Sequence, residues 1–186
     1  MLRFRDKNES RTTIEVNGQP SNVDRDSMKG QFSSGQFGGV LRAAFDPSTK
    51  ADFQWMETDA LGSGTVQVFS YKVAKENSMF GVVGATGLEV KPAYHGMVFI
   101  DNATRSVRRI TLATDGLPKD FPTQSSGLAV DYDYIVINNH DYLMPVAAEF
   151  RQKQLKKMET LNTIEFRDYR RFTSSVKITG YTPLEK

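Results

Sequence analysis

Two aspartates in one predicted strand have a spacing that permits catalysis. Asp131 and Asp133 alternate with Tyr132 and Tyr134, and the two-residue period of a strand places both carboxylates on one face, about 7 Å apart. That separation suits general acid–base catalysis on a glycosidic bond, with His95 as a third titratable group. Alternating Asp and Tyr is also typical of a strand with one solvated face. A hydrolase that uses Asp131, Asp133 and His95 is therefore one of three functional hypotheses.

Other kinds of chemical site lack the residues that they need. The chain has no cysteine, which excludes disulfides, thiol catalysis and cysteine-ligated zinc. Its two histidines, His95 and His140, have no neighbours at metal-ligand spacing. The nucleophile motif Gly-x-Ser-x-Gly is absent from the sequence. We therefore expect a protein that is not an enzyme, with no catalytic residue, no metal and no cofactor.

Composition indicates one globular domain over residues 1–186. A net charge of +2, from 24 basic and 22 acidic residues, provides no overall field that would attract nucleic acid. No run approaches the roughly 20 apolar residues of a membrane-spanning helix. No signal peptide begins at Met1, so we expect that the native N-terminal segment is missing from this chain.

Short β-type runs, each closed by a turn signal, extend from about Asp52 to Ile178. Such a rhythm predicts one antiparallel sheet that is wrapped into a barrel or a sandwich. Ala147–Met158 fits either a helix or the arm of a long hairpin, and we favour the hairpin. The predicted strands are Ala51–Thr58, Thr65–Val73, Ser78–Val83, Tyr94–Ile100, Ser106–Leu112, Leu128–Ile137, Tyr142–Phe150 and Asn162–Ile178.

The clearest helical pattern precedes these strands and lies within Ser34–Phe45. Asp46-Pro47 ends it, because proline cannot continue a helix. Apolar residues recur at helical spacing and form one stripe, which consists of Phe37, Val40, Leu41, Ala44 and Phe45.

The second predicted strand is apolar on both faces. Val66 and Val68 point one way, whereas Phe69, Tyr71 and Val73 point the other. Such a strand is covered on both sides, or it lines a cavity on one side.

Aromatic side chains are concentrated on the predicted strands, and Phe53 and Trp55 share one face of the first strand. Core packing is the default interpretation of these residues. The alternative is a cavity for an acyl chain or a similar apolar ligand. The ligand-binding candidates are Phe53, Trp55, Phe69, Tyr71 and Phe99, with Phe37, Leu41 and Phe45 as a lid.

Eight short phrases between residues 3 and 178 carry a family resemblance. They are Gly35–Gly38, Phe53–Trp55, Val68–Val73, Tyr94–Asp101, Arg108–Ile110, Val130–Tyr132, Leu143–Val146 and Asn162–Phe172. Together they resemble a group of uncharacterised bacterial proteins of the secreted or envelope class. The strand pattern is similar to that of the outer-membrane lipoprotein-sorting (LolA/LolB-like) superfamily.

The resemblance implies a mainly β (α+β) fold, in which a single strongly curved antiparallel sheet forms an unclosed half-barrel with one or two covering helices. In carriers of that kind the cavity holds lipoprotein acyl chains and the helix acts as a lid. The resemblance also implies a location in the periplasm or cell envelope. By this resemblance we expect that the opening strand and any preceding helix of such a fold are missing from this chain.

The leading hypothesis is non-enzymatic binding of an apolar or amphiphilic ligand, such as a lipid or a lipidated protein, in the bacterial cell envelope. The alternative is a sensing or protein-interaction domain of the same fold, which binds a partner through an exposed sheet edge or groove. Either reading permits peripheral contact with a membrane and requires no transmembrane segment.

Overall fold

The computed structural model of this chain describes residues 2–5, 8–13, 15–16, 18–21, 38–83, 88–155 and 158–171. Helix α1 spans Gly39–Phe45, and two 3-10 turns follow at Pro47–Thr49 and Lys75–Asn77. The strands are β1 (Leu2–Arg5), β2 (Asn8–Arg11), β3 (Glu15–Val16), β4 (Gln19–Pro20), β5 (Asp52–Leu61), β6 (Gly64–Val73), β7 (Val82–Val83), β8 (Glu89–Val90), β9 (Ala93–Asp101), β10 (Val107–Asp115), β11 (Thr123–Ile137), β12 (His140–Gln154) and β13 (Glu159–Glu165).

Seven of these strands form one antiparallel sheet in the order β13-β12-β11-β10-β9-β6-β5. Each strand pairs with its neighbour along the chain, except that the small β7–β8 pair lies between β6 and β9. The prediction of a mainly β, antiparallel fold is confirmed. Among the described residues β5 and β13 are the two edges of an open sheet, and no strand closes it into a barrel.

Helix α1 covers one face of the sheet, which we call the helix face. Its buried residues Val40, Ala43 and Ala44 belong to the main core cluster, and the Tyr94 hydroxyl donates a hydrogen bond to the Ala43 carbonyl at 2.7 Å. The sheet contributes buried side chains from five strands to the same cluster. They are Tyr71, Val73, Tyr94, Val98, Ile110, Leu112, Leu128, Val130, Tyr132, Ala148 and Phe150.

Strand β6 is buried on both faces, as its sequence predicted. Phe69 lies opposite Val98 of the core, whereas Val68 lies opposite Phe99, so Val68 points to the other side, the outer face. Val66 and Val68 are only 1% and 2% exposed there, although they are not members of the core cluster under α1.

Tyr71 connects three strands across a glycine. Tyr71 belongs to β6, and its ring lies over Gly96 of β9. Its hydroxyl donates a hydrogen bond to the Thr111 carbonyl of β10 at 2.7 Å. A Cβ atom at position 96 would lie 1.9 Å from the Thr111 oxygen and 2.7 Å from the Tyr71 ring. Glycine is therefore required at position 96, because an aromatic side chain and a neighbouring backbone fill the space beside it.

The β11–β12 hairpin is the longest in the sheet. Asn138 and Asn139 form its two-residue turn with φ of 52° and 60°, the left-handed values that a type I′ turn requires. Pairing of β11 with β10 ends at Asp131, and pairing of β12 with β13 ends at Ala147. From Ile135 to Tyr142 the hairpin therefore pairs only with itself among the described residues.

The structure resolves the ambiguous Ala147–Met158 segment as a hairpin, because β12 runs to Gln154 and pairs with β13. The predicted strand Ser78–Val83 is mostly wrong. Only Val82–Val83 forms a strand, while Phe80 packs edge-on against Tyr94 with 6.2 Å between the ring centroids. The predicted last strand, Asn162–Ile178, is wrong from residue 166 onward, because β13 ends at Glu165 and residues 166–171 are not in a strand. The part after residue 171 lies outside the described residues.

Candidate functional site

A row of aromatic side chains crosses the β5 edge of the helix face. Phe53 lies opposite Tyr71, and Trp55 lies opposite Phe69, so all four share the face that α1 covers. Phe45, the last residue of α1, stacks on Phe53 with 5.4 Å between the ring centroids and 15° between the planes. We call Phe45, Phe53 and Trp55 the aromatic surface.

The aromatic surface is open to solvent, although the neighbouring ring of Tyr71 is buried. Phe45, Phe53 and Trp55 are 46%, 38% and 59% exposed. Phe53 also contacts the Tyr71 ring at a centroid distance of 5.7 Å, and Tyr71 is only 1% exposed. The exposed rings are thus held in place by a ring that the core fixes.

Trp55 is fixed by a hydrogen bond along the sheet. Its Nε1 donates to the Gln67 Oε1 at 2.9 Å, and the Thr58 hydroxyl donates to the same oxygen at 3.2 Å. The indole N–H is therefore satisfied within the protein. What the side chain offers to a ligand is the apolar area of the ring.

The structure brings together most of the predicted ligand-binding residues. Leu41 packs against the core cluster beneath α1, and Phe69 is half-buried beside Trp55. Phe99 is separated from the group, because its register with Val68 and Arg109 places it on the outer face. Phe37 lies outside the described residues.

The predicted acid–base residues lie on the outer face, each within hydrogen-bond distance of another side chain. The Arg109 Nη1 atom lies 3.0 Å from Asp131 Oδ1, and the Arg108 Nη1 atom lies 2.9 Å from Asp133 Oδ1. His95 Nδ1 lies 2.7 Å from a carboxylate oxygen of Asp115.

Although they share a face, these groups do not converge on one point. Asp131 lies opposite Arg109, which in turn lies opposite Phe99, four residues along β9 from His95. Two strand spacings and four residues of rise separate Asp131 from His95 by about 16 Å.

Burial perturbs the acid–base behaviour of Asp131. Partial desolvation raises the pKa of this carboxyl above its ordinary value, although the Arg109 guanidinium beside it acts in the opposite direction. The raised pKa means that burial outweighs the ion pair. The position of Asp131 on β11, between β10 and β12, accounts for this burial and so for the raised pKa of its carboxyl.

A groove of about 400 Å³ crosses the outer face near the β13 edge. Ala113 and Gly127 form its floor, and the longer side chains of Arg151, Lys153 and Leu161 stand along one side. A Cβ at Gly127 would have nothing nearer than the Leu112 carbonyl oxygen at 3.6 Å, so the groove passes directly over the backbone.

The described residues contain neither a candidate metal site nor a candidate membrane-spanning helix. No cluster of three or more histidine, aspartate or glutamate side chains in that part of the chain is arranged to hold a metal ion. No helix there has the length and apolar character needed to cross a membrane.

Comparison with known proteins gives no match: no family model, no curated protein and no solved structure is significantly similar to this chain. The resemblance to lipoprotein carriers therefore stays a prediction from the sequence.

Proposed function

We propose that this protein is a non-enzymatic binding protein that holds an apolar or amphiphilic ligand, such as a lipid or the acyl chain of a lipidated protein, against the aromatic surface. The observation that supports the proposal is that Phe45 and Phe53, which stack on each other, and Trp55, on the same face of β5, are all exposed. Contiguous exposed apolar area costs solubility and usually marks an interaction site.

The geometry of the row suits a long, narrow apolar group. The Phe45 and Phe53 rings are nearly parallel, and Trp55 follows two residues along the same face of β5, about 7 Å further on. An acyl chain that lies along β5 would contact all three rings in turn. Leu41 and Phe69 extend the apolar area toward the core.

In this proposal the sheet curves as a LolA-like half-barrel with the helix face on its concave side, and α1 covers part of that side as a lid. A location in the bacterial cell envelope, with peripheral contact to a membrane, is proposed on the resemblance of the sequence phrases alone.

The first test is native mass spectrometry of protein purified without detergent, followed by organic extraction and lipid analysis. We expect an acyl-chain species at near-stoichiometric amount. The second test uses the single tryptophan, Trp55, as a reporter, because it lies in the aromatic surface and is 59% exposed. Titration of delipidated protein with oleate should shift its emission to shorter wavelength. A clean apo mass together with an unchanged emission spectrum would contradict the proposal.

A variant tests whether the aromatic surface itself binds the ligand. Phe53 is 38% exposed, which corresponds to about 75 Å² of ring available for contact. At about 25 cal/mol per Å², the loss on Phe53→Ala is about 2 kcal/mol, or roughly 25-fold in the Kd for oleate. The matched control is Leu161→Ala, because Leu161 is 49% exposed on the opposite edge strand. Equal affinity of the two variants would place the ligand elsewhere.

A further inference from the structure

Strand β5 has two chemically different sides. On the outer face it carries Asp52, Glu57 and Asp59, which the register places opposite Lys72, Val68 and Val66 of β6. On the helix face it carries Phe53, Trp55 and Thr58. The ten residues of β5 include no basic side chain.

A β-bulge at Met56 makes this separation possible. The register shifts between Trp55 and Glu57, so that Met56 has no partner on β6. In an unbroken strand Glu57 would share a face with Trp55, because the side-chain period is two. The bulge instead moves Glu57 to the face of Asp52 and Asp59.

Within the described residues only Asp52 of these carboxylates has a basic side chain opposite it on β6, namely Lys72, whereas Glu57 and Asp59 lie opposite valines. None of Asp52, Glu57 and Asp59 forms an ion pair there, and Asp59 only accepts a hydrogen bond from the adjacent Ala60 N–H. As the last strand of the sheet, β5 also has one side on which no described strand pairs with its backbone. Such an edge is a template for an added strand.

We propose that the β5 edge binds an extended segment of another polypeptide that alternates apolar and basic residues. Backbone hydrogen bonds would extend the sheet by one strand. The apolar side chains of the segment would lie beside Phe53 and Trp55 on the helix face. Its basic side chains would lie beside Asp52, Glu57 and Asp59 on the outer face, where opposite charges on adjacent strands stabilise the pair.

The charge pattern disfavours a second copy of this chain as the occupant. Two β5 strands paired about a two-fold axis would bring the carboxylates of one acidic face beside those of the other. Pairing of β5 with a second copy's β13 would add Glu159 and Glu165, which lie on the outer face of that strand. Like charges on adjacent strands are destabilising, so the favoured partner supplies the basic residues.

The bulge and the charges also make the edge selective. An irregular, charged edge strand resists indiscriminate pairing, because an incoming strand must match both the register and the charge. An added strand that runs past Met56 must accommodate a register shift there, as β6 does on the other side. A basic and apolar segment satisfies the charge requirement, whereas a purely apolar one does not.

The inference goes beyond the proposed function, since strand addition does not require that the aromatic surface holds a lipid. The probe is a fluorescein-labelled ten-residue peptide of alternating valine and lysine, and its binding is followed by fluorescence anisotropy. Two control peptides are matched to it. One replaces lysine by glutamate, and the other carries N-methyl groups on alternate backbone nitrogens, which block hydrogen bonding to a sheet edge.

We expect the valine–lysine peptide to bind and both control peptides to bind at least tenfold more weakly. In the isosteric triple variant Asp52→Asn, Glu57→Gln, Asp59→Asn the Kd of the valine–lysine peptide should rise about tenfold, because three exposed charge pairs are lost. All three side chains are exposed, so the fold is retained, and circular dichroism checks it. Equal binding of the N-methylated peptide, or no binding of the valine–lysine peptide, would overturn the inference.

Two more measurements separate this inference from its alternatives. A dimer in analytical ultracentrifugation that the triple variant strengthens would assign the edge to a second copy and overturn the inference. Oleate binding should be unchanged in the triple variant. If the wild-type protein binds the valine–lysine peptide but does not bind oleate, that result would contradict only the proposed function.

Discussion

The hydrogen bond from Tyr71 to the Thr111 carbonyl should contribute measurably to the stability of the sheet. The perturbation is Tyr71→Phe, which removes the hydroxyl and leaves the ring over Gly96. The hydroxyl is 2.7 Å from the Thr111 oxygen, and Tyr71 is 1% exposed, so water cannot replace the lost donor. A buried neutral hydrogen bond contributes about 1 to 1.5 kcal/mol to the free energy of unfolding. For a chain of this length that loss lowers Tm by about 3 to 5 °C.

A companion variant tests the packing around the same ring. Gly96→Ala adds a Cβ that would lie within 3 Å of both the Thr111 oxygen and the Tyr71 ring. The backbone oxygen cannot move without breaking the pairing of β9 with β10, so we expect a loss of at least about 3 kcal/mol. Gly127→Ala is the matched control, because its Cβ would meet only the Leu112 oxygen at 3.6 Å.

The pH dependence gives a second test of the same contact. Burial raises the pKa of Tyr71 above the ordinary tyrosine value of about 10. A group whose pKa is raised in the folded state stabilises the protein fully below its unfolded pKa, and this contribution is lost as the pH rises through the folded pKa. The stability difference between wild type and Tyr71→Phe should therefore be constant from pH 7 to 9 and should shrink above pH 10.

The assay is urea unfolding followed by circular dichroism at pH 7, 9 and 10.5, with the slope m compared between variants to verify that both unfold alike. Equal midpoints for wild type and Tyr71→Phe at pH 7 would refute the assigned contribution of the hydrogen bond. A Gly96→Ala protein as stable as Gly127→Ala would refute the packing argument.

Two further predictions concern single polar groups. The Asp101 carboxylate accepts hydrogen bonds from the Ala103 and Thr104 N–H groups and from the Thr104 hydroxyl, which lower its pKa. Its stabilisation is present above pH 4 and is lost as the pH falls through the lowered pKa, so the stability difference between wild type and Asp101→Asn should be smaller at pH 2.5 than at pH 6 in urea unfolding. Ser126 is buried and its hydroxyl has no hydrogen-bond partner among the described residues, so Ser126→Ala should leave Tm unchanged or raise it; a decrease in Tm by calorimetry would contradict this.

The pattern of β-type runs predicted the sheet well where strands alternate strictly. In β6 the opposite orientation of Val68 and Phe69 followed from alternation, and the register confirms it. The sequence places the turn of this hairpin at Asn138-Asn139-His140-Asp141. In the structure β12 already begins at His140, so the turn consists of Asn138 and Asn139 alone, where asparagine tolerates the positive φ. Strand β11 begins at Thr123, five residues before the predicted start, because pairing with β12 overrides the polar character of residues 123–126.

The candidate site depended on tertiary information that alternation does not carry. The sequence predicts that Phe99 lies with Phe53 and Trp55. The register places Phe99 on the outer face instead, because strand pairing decides which side of the sheet each apolar residue faces. The bulge at Met56, which moves Glu57 away from the aromatic row, left no signal in the sequence. The stacking of Phe45 on Phe53 could not be predicted either, because it depends on where α1 lies relative to β5.

The self-paired end of the β11–β12 hairpin, from Ile135 to Tyr142, has a consequence for local dynamics. A two-stranded ribbon without lateral neighbours is marginally stable in water, and Val136 is 67% exposed at this end. Its amide hydrogens should exchange with deuterium by local opening, at a free energy well below that of global unfolding, while those of Leu128 and Val130 exchange only on global opening. The Asn138-Asn139 turn is therefore the position at which an inserted tag would disturb the sheet least.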